Sequence, residues 1–277
     1  VSGVDTNQGV NVSKQEQWVD TAGGRLRVCV QGRADAPALV FSNSLGTTLE
    51  MWDAQAERFA RDFRVVRYDT RGHGGSAVTP GPYGFDRLGG DVLALLDALH
   101  IERAHFCGIS MGGFTGLWLG VHAPQRLLSV AVCNSAAKIG TADGWHQRAA
   151  LVRDKGQAAM AELAASSPGR WFTEAFCAAQ PDVVQRAQGW IAATPPEGYA
   201  ACCEALAQAD LRADIGRIAV PTLIVAGSAD PVTTVEDGRF MQAAIPGARL
   251  AEVPASHLSN LEAPAAFDTA LERFLHG

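Results

Sequence analysis

No run of about twenty apolar residues occurs in the 277-residue sequence, so no segment is set up to cross a bilayer as a helix. Basic runs and aromatic-basic stripes are also missing. With 23 Lys and Arg against 29 Asp and Glu, the formal net charge is −6. A chain of that balance lacks the cationic face that a polyanion requires, which argues against nucleic acid as a partner. The six cysteines, Cys29, Cys107, Cys133, Cys177, Cys202 and Cys203, show no paired-ligand spacing. Adjacent Cys202 and Cys203 suit neither a simple disulfide nor a zinc site. The stretch Val1 to Gln17 is polar and lacks the charged start and apolar centre of a signal peptide. It reads as a leader outside the fold (residues 1–17). Free thiols in a reducing cytoplasm, with no metal, are the resulting expectation. Internal repeats and low-complexity tracts are absent too.

What is present is a globular balance, 47% hydrophobic and 19% charged, with ample material for a buried core. Short β-rich runs alternate with longer helical patterns. The pattern predicts strands over Arg25–Val30, Ala38–Phe41, Arg64–Tyr68, Ala104–Ile109, Leu127–Cys133, Pro221–Ala226 and Arg249–Val253. Several are apolar almost throughout, as strands covered on both faces must be. Between Asp86 and Leu99, the residues Leu88, Val92, Leu95, Leu96 and Leu99 fall on one helical face, with Asp86 placed to cap it. Met111–His122 and Ala263–Leu275 also read as helices. Such alternation implies an α/β fold with a mostly parallel twisted sheet and helices on both faces.

The alternation stops near Ala136 and resumes near Val220. The interval is rich in Ala and Gln, is punctuated by Ser166-Ser167-Pro168-Gly169 and Pro195-Pro196-Glu197-Gly198, and carries Trp145, Trp171, Trp190 and Tyr199. It reads as helices without a strand. The expected organisation is therefore a core from residues 18–135 and 220–277, with a helical cap over 136–219.

Gly108-Ile109-Ser110-Met111-Gly112-Gly113 follows an apolar strand and opens a helix. A Gly-x-Ser-x-Gly string in that setting is a nucleophile elbow, which predicts an α/β-hydrolase fold and a serine nucleophile, Ser110. The helix behind it aims backbone N–H groups and its dipole at the site, where they favour a developing oxyanion. In this fold the triad follows in the order Ser, acid, His. Asp230, in Gly227-Ser228-Ala229-Asp230-Pro231 directly after a strand, is the candidate acid, ahead of Asp210, Asp214 and Asp237. His257, just beyond the last predicted strand, is the candidate base; of the other six histidines, His73 lies in a glycine-rich turn, His100 and His122 close helices, His105 starts a strand, His146 is in the helical cap and His276 is terminal. The backbone N–H groups of Leu45, in the loop Ser42–Thr47, and of Met111 are the candidate oxyanion donors. The glycine-rich loop Tyr68–Ser76 has no Gly-Lys-Ser/Thr ending and no helix after it, so it reads as a structural turn in which Arg71 and Asp69 pair locally.

These residues together resemble one family. Ser42-Asn43-Ser44-Leu45-Gly46-Thr47, Tyr68-Asp69-Thr70-Arg71-Gly72-His73-Gly74, Cys107-Gly108-Ile109-Ser110-Met111-Gly112-Gly113 and Ala255-Ser256-His257 look like the corresponding segments of the 3-oxoadipate enol-lactonases. The likeness continues through Cys133–Gly140, Arg170-Trp171-Phe172-Thr173 and Glu197-Gly198-Tyr199-Ala200, spanning about Trp18 to Gly277. One departure is Asn43-Ser44, where many relatives carry His-Gly; backbone donation from Leu45 tolerates that change. The resemblance implies a cofactor-free Ser–His–Asp hydrolase of aromatic-acid breakdown, acting in the β-ketoadipate pathway on a small enol-lactone with a free carboxylate. Motif by motif it lands on Ser110, Asp230 and His257.

A substrate of that kind needs a cationic or donor-rich patch under the cap. Lys138, His146, Arg148, Arg153 and Arg170 are the candidates, with Trp145 as an apolar wall. The competing expectations are another cap-bearing esterase or lactonase, a carbon–carbon bond hydrolase, a cofactor-free perhydrolase, or a ligand-binding receptor on the same fold.

Overall fold

The computed structural model describes residues 14–277. An eight-stranded sheet forms from β1 (Gln15–Thr21), β2 (Gly24–Gln31), β3 (Ala38–Ser42), β4 (Arg64–Tyr68), β5 (Ala104–Ile109), β6 (Leu127–Cys133), β7 (Thr222–Gly227) and β8 (Arg249–Val253). Its spatial order is β1-β2-β4-β3-β5-β6-β7-β8. β1 pairs with β2, and β2 with β4, in antiparallel fashion; every later pairing is parallel. β3 and β7 are buried at every position, as a parallel sheet with both faces covered requires.

Helices α1 (Asp53–Phe59), α2 (Phe85–Ala98) and α3 (Met111–His122) lie among the first six strands. Six more occupy the interval between β6 and β7: α4 (Ala142–Lys155), α5 (Gln157–Ser166), α6 (Pro168–Trp171), α7 (Glu174–Ala179), α8 (Pro181–Ala193) and α9 (Pro196–Gln208). No strand interrupts them. α10 (Val235–Ala244), α11 (Ser259–Glu262) and α12 (Pro264–His276) follow. No helix among the described residues is long and apolar enough to cross a membrane.

The core runs along both faces of the sheet. Trp52 stacks on Phe41 with ring centroids 4.6 Å apart and meets Phe267 of α12 at 5.9 Å, which clamps the sheet to that helix. Full burial of side chains this large stabilises the fold by roughly 1.5–3 kcal/mol each. On α2 the predicted stripe of Leu88, Val92, Leu95 and Leu96 is buried, and Leu99 just beyond it.

Three local expectations change. β1 starts at Gln15, so residues 15–17, read as part of a leader, belong to the sheet; residues 1–13 lie outside the described residues. The strand was hard to read because only Val19 is buried and its pairing with β2 is carried by backbone. Gly84, not Asp86, occupies the N-cap of α2; Asp86 sits in the first turn, where its charge still favours the helix dipole. Arg71 does not pair with Asp69. Its guanidinium engages Asp91 of α2, with Nε donating to Oδ2 at 2.8 Å, while Asp69 takes Arg27 at 3.3 Å and the N–H groups of Leu49 and Gly75. The glycine-rich loop is thus pinned to distant elements as well as to itself.

All six cysteines are free thiols. Cys107 and Cys133, on neighbouring strands, keep their sulfurs 3.8 Å apart, far beyond the ~2.05 Å of a bond. Burial pushes the Cys203 thiol up to about 12, so it stays protonated and inert as a nucleophile.

Candidate active site

The carboxyl ends of four consecutive strands build the site. Ser110 links β5 to α3 with φ 57° and ψ −116°, a conformation costly for a residue with a side chain. The surrounding structure enforces it. Ser110 N–H donates to Cys133 O at 3.0 Å, and Ser110 O accepts from Phe114 N–H at 2.9 Å and from Ser135 Oγ at 2.8 Å. The elbow closes so tightly that a Cβ at Gly108 would run into the Gly112 carbonyl, and one at Gly112 into Ser42 O. Met111 opens α3 with its side chain buried, which leaves its backbone N–H in the unpaired first turn of the helix.

Asp230 follows β7 and His257 follows β8. His257 Nδ1 lies 2.8 Å from Asp230 Oδ2, and His257 is 2% exposed. Asp230 is held by further donors: the N–H groups of Val232 and Thr233 at 2.8 and 3.1 Å, Thr233 Oγ1 at 2.8 Å and Asn134 Nδ2 at 3.1 Å. Burial alone would raise the Asp230 pKa; the neighbouring His257 and these donors outweigh it and hold the carboxyl below its usual value. An ionised carboxylate therefore faces the imidazole. Asn134, at the end of β6, adopts φ 41° and also donates to Ser256 O at 3.0 Å, while its Oδ1 accepts from Ser259 Oγ. One side chain thus ties the acid to the loop that carries His257.

Ser110 and His257 line one cavity of about 310 Å³ with Ser44, Leu45, Trp145, Arg148, Arg170 and Tyr199 among its other walls. Its lining residues include no Asp or Glu. A serine with a strained backbone thus shares its cavity with an imidazole that is hydrogen-bonded to a buried carboxylate.

Residues 37–264 match the family model described as the alpha/beta hydrolase fold. The chain belongs to the α/β-hydrolase family. The hydrolase is 52% identical to 3-oxoadipate enol-lactonase 2 of Acinetobacter baylyi, over 89% of this chain and 91% of that one. Among solved structures it superposes on the enol-lactonase from Burkholderia xenovorans LB400 with a TM-score of 0.90 and 42% identity, covering 94% of this chain and 100% of that one. A malate-bound thermophilic esterase from Thermogutta terrifontis superposes with a TM-score of 0.86 at 25% identity, covering 95% and 98% of the two chains.

Of the five candidate cations, the hydrolase brings two to its cavity, Arg148 and Arg170. Trp145 also lines it, its indole N–H donating to Ile139 O and its ring lying under the Arg148 guanidinium at 4.9 Å. Burial and the charge of Arg148 lower the Arg170 pKa, and Arg170 Nη1 reaches only the Ser166 hydroxyl, at 3.4 Å. Lys138 and Arg153, expected under the cap, lie elsewhere. Lys138 bridges to Asp210 at 3.2 Å, and Arg153 is clasped by Glu197 at 2.8 Å and Glu204 at 2.5 Å. Neither lines the cavity, because acidic partners from α9 and the segment behind it already hold them. His146 is exposed and also stands outside. Asn134 and Thr233 escaped the sequence reading: an Asn after a strand and a Thr three residues beyond an Asp look like ordinary turn residues. The αL tolerance of Asn was the one available signal.

Proposed function

We propose that this hydrolase opens 3-oxoadipate enol-lactone to 3-oxoadipate through an acyl-enzyme on Ser110. His257 takes the Ser110 proton as Oγ attacks the lactone carbonyl, and Asp230 keeps the imidazole in the right tautomer and stabilises the imidazolium. The N–H groups of Leu45 and Met111 receive the oxyanion. The ring C–O bond then breaks and releases an enolate, a better leaving group than an ordinary alkoxide, which takes up the proton from His257 and returns the imidazole to its neutral form. Ketonisation of the tethered enol removes the nucleophile that could close the ring again. Water, activated by His257, cleaves the acyl-enzyme and frees Ser110.

The observation that carries this reading is the charge pattern of the cavity. Two arginines with no lining carboxylate stand in the same small space as the nucleophile. Arg148 and Arg170 suit the free carboxylate of the substrate, and Trp145 its ring. The 52% identity to an enol-lactonase extends over most of the chain, including the inserted helices that supply these walls. Residues 136–219 would then serve as a cap over a core of residues 18–135 and 220–277. The small lactone is the only partner the reading needs, and aromatic-compound breakdown in the cytoplasm is its setting.

The test follows the loss of enol-lactone ultraviolet absorbance with wild type and Ser110→Ala. Fast decay that Ser110→Ala abolishes is the expected result. Absence of decay in a folded protein that still reacts with a fluorophosphonate would leave a serine hydrolase with a different substrate.

A further inference from the structure

Buried side chains tie together the two loops that follow β3 and β4. Asn43 Nδ2 donates to Tyr68 O at 2.9 Å, and Leu49 N–H donates to Asp69 Oδ1 at 2.8 Å. These bonds fix the two ends of the segment 43–49. Its middle is held separately: Gly46 N–H donates to His73 Nε2 at 2.9 Å, wholly out of contact with solvent. Gly46 has φ 79°, a region where glycine is free to wander, so the peptide beside it needs an external anchor.

We propose that His73 is a positioning residue for the oxyanion donor, holding the Leu45–Gly46 peptide so that Leu45 N–H faces the carbonyl under attack at Ser110. The proposal rests on the reading of Ser110 as nucleophile and Leu45 as donor. The Leu45 N–H belongs to the preceding peptide, and the nitrogen that His73 anchors lies one residue beyond it, so release of Gly46 lets the Leu45 Cα shift and carries the Leu45 N–H with it.

The chemistry of the ring fits the task. Nδ1 lies 3.2 Å from Arg71 O, an acceptor, so the ring proton sits there and Nε2 keeps its lone pair for Gly46. Burial lowers the His73 pKa to about 4, which keeps the ring an acceptor at neutral pH. The residue that orients it is itself immobilised, since Arg71 is locked onto Asp91 and its carbonyl also takes the Cys202 thiol of α9 at 3.7 Å. Because Asn43 and Asp69 join the same loops independently, loss of His73 should loosen one peptide rather than unfold the site. Such a defect appears in transition-state binding and not in ground-state binding.

The experiment compares wild type, His73→Leu, His73→Gln and Ser110→Ala as full chains. It uses p-nitrophenyl acetate as well as the enol-lactone, so that the result does not depend on substrate identity. A trifluoromethyl ketone, whose hemiketal oxyanion occupies the same place, reports on the hole directly. In His73→Leu, which fills the space without an acceptor, kcat is expected to fall about 10- to 100-fold with KM within twofold. This is part of the roughly 10²- to 10³-fold that outright loss of an oxyanion donor costs. Ketone affinity should fall by the same factor. His73→Gln, whose amide oxygen can accept from Gly46 N–H, should recover most of both. Unchanged kcat and ketone affinity in His73→Leu, or a rise in KM alone, or no recovery in His73→Gln, would overturn the proposal while Ser110→Ala remains inert. Should His73→Leu fail to fold, His73→Asn, an amide too short to reach Gly46, replaces it with the same expectations. Full activity in Ser110→Ala, or a wild type inert toward both substrates, would bring down the reading of the site and the proposal with it.

Discussion

Replacing Asn134 with alanine should damage the protein in a measurable and divided way. Its Nδ2 serves Asp230 Oδ2 at 3.1 Å and Ser256 O at 3.0 Å, and its Oδ1 accepts from Ser259 Oγ. Asp230 keeps four other donors after the change, but Ser256 O and the Ser259 hydroxyl lose the Asn134 partner that each has here. A buried polar group left unpaired costs about 1–3 kcal/mol. Alanine must also adopt φ near 41°, which costs about 1 kcal/mol that asparagine tolerates better. Together these predict a loss of roughly 3–7 kcal/mol in unfolding free energy for Asn134→Ala. Asn134→Gly relieves the backbone part and should regain up to about 1 kcal/mol. Activity should suffer less than stability, with kcat/KM down about tenfold, because the His257–Asp230 bond itself remains. Urea unfolding followed by tryptophan fluorescence, with kcat/KM measured on the same samples, gives both numbers. An Asn134→Ala protein within 1 kcal/mol of wild type would refute the argument that this side chain fastens the acid to the histidine loop.

Other expectations follow from the same geometry. Arg148→Gln removes a cavity charge that has no acidic partner among the lining residues. KM for the enol-lactone should rise about 10- to 100-fold, equivalent to a charge-assisted bond of roughly 1.5–3 kcal/mol, whereas KM for a neutral ester should stay within about threefold. Arg153→Gln, already clasped by Glu197 and Glu204, should leave KM within twofold in the same steady-state assay. His73 also sets a pH dependence of stability. Its folded pKa is about 4 and its unfolded value about 6.5, so between the two the unfolded chain binds more protons and stability falls as pH is lowered. By pH 5 wild type should have lost about 2 kcal/mol relative to His73→Gln, compared with their difference at pH 7.5. Urea curves at both pH values check this, and a pH-independent difference would contradict it.

Much of the fold could be read because buried parallel strands write themselves as apolar runs: β3, β5, β6 and β7 stood out for that reason. β1 did not, since an edge strand with one buried residue, Val19, is stabilised by backbone pairing that leaves no side-chain pattern. Ser110, Asp230 and His257 were legible through local context, each sitting where a strand gives way to a turn or helix. Their supports were not. Asn134 meets Asp230 across 96 residues, and His73 meets Gly46 across 27, so both contacts exist only once strand order is known. The cavity cations failed for a related reason. In the sequence Lys138 and Arg153 are basic residues of the same interval as Arg148 and Arg170, and only the placement of acidic neighbours separates those that are held in ion pairs from those that line the cavity.

Ser110, Asn134, Asp230 and His257 lie on sheet neighbours β5, β6, β7 and β8, and they leave the ribosome in that same order. The serine emerges 147 residues ahead of the histidine, counted from 110 and 257. At about 5–20 residues per second that is an interval of roughly 7 to 30 seconds. Through most of it the nascent chain carries Ser110 with neither His257 nor Asp230, the aspartate following only as the interval nears its end. Under the proposed function, acyl transfer therefore becomes possible only late in synthesis, after the helices between β6 and β7 have already been made.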